Sequence, residues 1–197
     1  MPEKNIKGCI LLSLLLCLMS VRLYANDLAP LFERVEALNI QRQGYVLGAV
    51  LNPEQLKTAS ANPMDAAAPD TVKFKDQNLV VVAQKSTHRI LILYEEFETL
   101  TQPEIQDLIG DLYLQFDDPT VLAHDRVVYW AYGEKGKITA REFDTAGHDK
   151  RTLKILATVK CISDINIMEK GKDPSSGHVY YIISSDPILR LFKDKKA

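Results

Sequence analysis

Apolar and polar positions along the chain change their period several times, and each change marks an element. Between Thr101 and Phe116 the apolar residues Ile105, Leu108, Ile109, Leu112 and Phe116 recur at helical spacing, while Gln106, Asp107, Asp111 and Gln115 fall on the opposite side. That pattern predicts an amphipathic helix. Its start is marked by Thr101 and Glu104 in the spacing of a capping box, with Pro103 in the first turn and Leu100 and Ile105 placed as a hydrophobic staple. Asp118-Pro119 predicts its end, because the residue before a proline is pushed out of the α region.

Around this helix the pattern is β-like. Val72 to Ala83, with its run LVVVA, and Ile90 to Tyr94 (ILILY) are short, β-branched and continuous, as expected of strands covered on two faces. Gln84 to Arg89 is polar and is expected to turn them into a hairpin. Val127 to Tyr132 (VVYWAY) predicts a buried strand that passes through Gly133-Glu134-Lys135-Gly136 into a further strand at Lys137 to Phe143. Leu153–Ile167 and His178–Ser185 predict a last hairpin, closed by a short helix after Asp186-Pro187. The resulting fold is α+β, a mainly antiparallel sheet covered by one central amphipathic helix and short terminal helices.

Upstream, Leu28, Leu31, Phe32, Val35 and Leu38 predict a first helix capped by Asp27 and closed by Gly44. Tyr45 to Leu51 predicts a short apolar strand or a buried turn of helix, and Asn52-Pro53-Glu54-Gln55 the start of a small helix. Residues 58–70 are small, polar and proline-punctuated and read as a linker. The chain thus divides into residues 26–57, a helical piece too short for its own core, the linker 58–70, and a body at 71–197.

Residues 1–25 have the form of a secretory signal peptide. Lys4 and Lys7 precede an uncharged apolar run from Cys9 to Val21, and Ala25 offers a cut before Asn26. The run is shorter than the roughly 20 residues of a membrane span, so the mature chain is expected to hold no integral span and to reside in the periplasm or outside the cell. Retention of the leader would instead make the protein a signal-anchored scaffold. Its loss removes Lys4, Lys7, Arg22 and Glu3, leaving 21 basic against 25 acidic residues, a net charge of −4. Mild acidity argues against nucleic acid, which calls for a basic stripe. Cys9 and Cys17 leave with the leader, and Cys161 remains within an apolar strand face as a small hydrophobe.

Candidate chemistry is sparse. His124-Asp125 could act as an acid–base pair, with Ser185 in Ser184-Ser185-Asp186 as the nucleophile of an exported hydrolase, but no G-x-S-x-G surrounds the serine. Asp144, His148 and Asp149 are the densest His/carboxylate group and lack every recognised zinc spacing. No cofactor motif is present. The aromatics Tyr129, Trp130, Tyr132 and Tyr181 supply the remaining signal: some pack the sheet, and alternate members face outward as a binding patch. Phe116-Asp117-Asp118-Pro119 followed by Trp130-Ala131-Tyr132 resembles the SmpA-type outer-membrane assembly lipoproteins over about a sixth of the chain. Asp117 stands where that family has glycine, a strand leads into the helix and no lipobox is present, so no property of the family is carried over. The expected function is that of an exported, non-catalytic binding or assembly module for a protein or small-molecule ligand.

Overall fold

The computed structural model describes residues 28–66, 68–148, 155–167 and 176–194. Two short elements lead. Helix α1 (Ala29–Glu36) is followed by a tight hairpin of β1 (Gln41–Arg42) and β2 (Tyr45–Val46). Gln43 and Gly44, both at positive φ, make the turn between these strands. The expectation that Gly44 closes the helix is therefore corrected: α1 stops at Glu36, and the glycine serves a hairpin. The strand expected over Tyr45 to Leu51 shortens to two residues, because Gly48 turns the chain at φ +84°. Asp27, the expected cap of α1, lies outside the described residues.

Helix α2 (Pro53–Ala61) begins on the signature read at Asn52: the Asn52 side chain accepts from the amides of Glu54 and Gln55, and Gln55 accepts from the Asn52 amide. The helix runs into the stretch read as a linker, and β3 (Pro63–Met64) within that stretch pairs with the body. Residues 58–64 are thus part of ordered elements.

The body is an antiparallel sheet in the order β3-β4-β5-β6-β11-β10-β8-β7. Strands β4 (Thr71–Asp76), β5 (Leu79–Gln84) and β6 (Ile90–Thr101) form a meander. Helix α3 (Gln102–Phe116) then carries the chain to the far edge, where β7 (Val121–Ala123) and β8 (Val127–Gly133) begin the return. A two-residue β9 (Gly136–Lys137) flanks β8. Helix α4 (Ala140–His148) follows, and β10 (Ala157–Ser163) and β11 (Ser176–Ser184) fill the gap beside β6 before α5 (Asp186–Asp194). The strand expected over Lys137 to Phe143 is corrected to α4. Thr139 and Glu142 explain why: the Glu142 carboxylate accepts from the Thr139 amide and hydroxyl, and the Thr139 oxygen accepts from the Glu142 amide, a complete capping box.

One face of this sheet carries the core. Leu79, Val81, Leu93, Val128, Trp130, Val159, Cys161, Tyr181 and Ile183 point to it and are closed to solvent. Helix α3 lays Ile105, Ile109, Leu112 and Phe116 on this face, and the Trp130 ring meets Tyr113 edge-on at 5.9 Å and Phe116 at 6.0 Å. The helix ends at Asp117, whose φ of 58° breaks the helical path. Two donors satisfy carbonyls at this end: Trp130 Nε1 donates to Asp117 O, and Lys137 Nζ to Phe116 O and Asp118 O. The cover is shared. Leu31, Phe32 and Val35 of α1 join the same core, and Leu56 of α2 packs on it. The N-terminal piece is held besides by polar anchors on β6 and β4. Arg42 and Gln43 clasp the buried Glu95 carboxylate, and Tyr45 donates to Asp76.

Candidate binding face

The opposite face of the sheet is largely open, and the strand registers fix which side chains share it. In the row through the centre Lys75, Val80, Tyr94, Ile182, Lys160, Tyr129 and Val121 are successive cross-strand neighbours. The row on one side of it runs Lys73, Val82, Ile92, Ser184, Thr158, Ala131; the row on the other runs Glu96, Tyr180, Ile162, Val127, Ala123. In these rows Val80, Ser184, Thr158 and Ala131 are buried. Val82, Ile92, Tyr94, Ile162 and Ile182 are half-buried, and Tyr180 is exposed. A contiguous apolar and aromatic sheet surface of this kind differs from the scattered exposed hydrophobics of an ordinary exterior.

Charged groups lie along this surface and partly shield it. Lys73 Nζ sits 5.7 Å from the centre of the Tyr94 ring and Lys160 Nζ 5.7 Å from that of Tyr129, within reach of a cation–π attraction. At the acidic end His178 stacks on Tyr180 at 4.6 Å, and its Nε2 lies 3.0 Å from Glu96 Oε1. The two atoms lie that close without the alignment of a hydrogen bond. A hydrogen bond with Glu96 first, then burial and the nearby negative charges, raises the Tyr180 hydroxyl above the usual tyrosine range. Phe143 of α4 packs on Tyr129 at 5.7 Å and closes the β8 end of the face.

The aromatic residues expected to bind divide between the two faces. Tyr129 lies on the open one. Trp130 and Tyr181 are corrected to the core, both at 0 % exposure, and Tyr132 lies half-buried on their side. Burial pushes the Tyr132 hydroxyl up to about 12, with the Asp117 charge adding to it. Tyr180, one residue from Tyr181, takes the outward place. Adjacent strand residues point to opposite faces, and His178 at the same parity marks the side that meets water.

The candidate catalytic group is not brought together. His124 and Asp125, at φ 53° and 52°, form the exposed turn between β7 and β8. Ser185 is fully buried beyond the other end of β11, where its Oγ accepts from the Ile188 amide as a cap of α5. The strand lengths between them put about 20 Å between the two ends. Asp144 lies exposed on α4, His148 ends that helix, and Asp149 lies outside the described residues. Among the described residues no three His, Cys, Asp or Glu side chains converge as a metal cage requires. Cys161 is buried under the core face, and desolvation pushes its thiol up to about 12. No helix among the described residues is long and apolar enough to cross a membrane.

No family model, curated protein or solved structure matches the chain.

Proposed function

We propose that this chain is an exported, non-catalytic binding or assembly module of the bacterial envelope, working through the open face of its sheet. The supporting observation is the contrast between the two faces. One is fully packed by α1, α2 and α3, and the other leaves Ile92, Tyr94, Ile162, Tyr180 and Ile182 accessible side by side. Surface of that character is costly to leave in water unless a partner covers it. Export is supported by the form of residues 1–25.

Purification from its own cells tests the reading. Tyr180→Asp and Ile182→Asp are expected to release what stays bound to the unmodified protein. Leu114→Asp, at an exposed site on α3, is expected to keep it. The same bound set on all three variants, or turnover that vanishes in His124→Ala, would contradict it. A mature N-terminus at Asn26 is expected, and a retained leader would make the protein an anchored scaffold.

A further inference from the structure

We infer that the occupant of this face is a second copy of the chain, packed sheet on sheet about a twofold axis that runs across the strands. The inference rests on the reading of the face as a docking surface and names its partner. Its first support is the order of charge along the strands. Lys73 lies in one outer row, Lys75 and Lys160 in the central row, and Glu96 in the other outer row, where His178 and Glu98 adjoin it. The lysines and the acids are therefore separated along the strand direction, with Tyr94, Tyr180, Ile162 and Ile182 between and beside them.

A copy turned end for end about an axis between the central row and the Glu96 row lays its Lys75 and Lys160 row over the acidic row of the first, and the reverse holds by symmetry. Lys75 on β4 and Lys160 on β10 stand two strands to either side of β6. That is about 10 Å at ordinary strand spacing. The two lysines of one copy thus bracket Glu96 of the other at about 10 Å to either side, a gap that a lysine stem of about 6 Å and the glutamate stem close by swinging toward each other. The lysines that now lie over Tyr94 and Tyr129 would move onto carboxylates and uncover the rings for contact.

Size is the second support. The strands from β4 to β10 and the three rows of outward side chains span a patch of about 24 by 20 Å at ordinary strand spacing and rise. Covering it twice buries on the order of 1,000 Å², the size of a weak, transient interface. A reversible dimer follows.

Sedimentation equilibrium between about 1 μM and 1 mM reads the outcome directly. The full mature protein is expected to approach twice the mass of the single chain, and Tyr180→Asp to abolish the rise. Lys160→Glu and Glu96→Lys, both at solvent-accessible positions, are each expected to weaken the dimer about tenfold. The double variant Lys160→Glu/Glu96→Lys, or a mixture of the two single variants, is expected to regain it. Circular dichroism confirms that each variant folds. A single-chain mass at every concentration overturns the inference, as does a dimer indifferent to Tyr180→Asp or a double variant no better than its parents. A different partner on the face of a monomeric protein overturns it too, while leaving the proposed function standing.

Discussion

Arg42 offers the sharpest test of how the N-terminal piece is held. Glu95 is 2 % exposed, and its carboxylate accepts from Arg42 Nε at 3.1 Å, Arg42 Nη2 at 2.7 Å and Gln43 Nε2 at 2.8 Å. Arg42 also lies 5.1 Å above the buried Tyr181 ring. Burial pulls the guanidinium pKa down, but the hydrogen bond and charge of Glu95 outweigh it and leave Arg42 above its ordinary value. Arg42→Ala removes two of three donors and leaves a carboxylate sealed under the hairpin. Breaking a buried pair costs about 3–5 kcal/mol. The Arg42 side chain remains 24 % exposed, so partial solvation reduces the expected loss to about 2–3 kcal/mol. Replacing both partners by apolar side chains of similar volume, Arg42→Met with Glu95→Leu, removes the stranded charge and is expected to restore all but about 1 kcal/mol. Urea unfolding followed by tryptophan fluorescence measures it, since Trp130 lies in the same core. A constant m-value with a shifted midpoint isolates the stability change. A loss under about 0.5 kcal/mol for Arg42→Ala, or a double variant whose loss equals the sum of the singles, would refute the reasoning.

Three further outcomes follow from the same geometry. Gly48→Ala is expected to destabilise by about 2 kcal/mol, because a Cβ at φ +84° would meet Glu36 N at 3.0 Å and Phe32 O at 3.1 Å; thermal unfolding checks it, and an unchanged midpoint contradicts it. Glu104 and Glu142 are held below the usual carboxylate range, first by the backbone hydrogen bonds of Thr101 and Thr139 and then by their hydroxyls. A lowered folded pKa contributes stability that is present above the unfolded value near 4.3 and lost as pH falls through the folded one. Glu104→Gln/Glu142→Gln should accordingly flatten the acid limb of the stability–pH curve while leaving its shape near pH 8 unaltered; an unchanged acid limb contradicts this. Cys161 should resist alkylation in the native protein at pH 8 and react only at the rate of unfolding, so prompt modification would contradict its burial.

The central helix was legible because its pattern is local. Ile105, Ile109, Leu112 and Phe116 lie within four turns, and Glu104 takes the Thr101 amide as the capping spacing predicts. Both halves of the expected capping box are present, and the Thr101 hydroxyl donates to the same Glu104 oxygen. Helix α4 carried the same Thr-x-x-Glu signal at Thr139 and Glu142, but the preceding glycine-bracketed turn and the β-branched Ile138 and Thr139 pointed to a strand. The outward face was harder to read. Val179, Tyr181 and Ile183 are no more apolar than Tyr180 and Ile182, so period 2 alone does not say which set is buried. What decides is the non-local placement of β11 between β6 and β10, which sets Tyr181 beside Glu95 and Cys161 and Tyr180 beside Glu96 and Ile162. The buried Glu95–Arg42 pair has the same origin, 53 residues apart in sequence.

A photo-activatable amino acid placed singly at Tyr180 and at Leu114, on opposite sides of the sheet, tests the use of the open face inside the cell. Position 180 is expected to yield a discrete cross-linked species, at twice the chain's mass if the partner is a second copy. Position 114, at 87 % exposure, is expected to yield none. Adducts at 114 with none at 180 would show that the working surface lies on the helical side, and the account would fail.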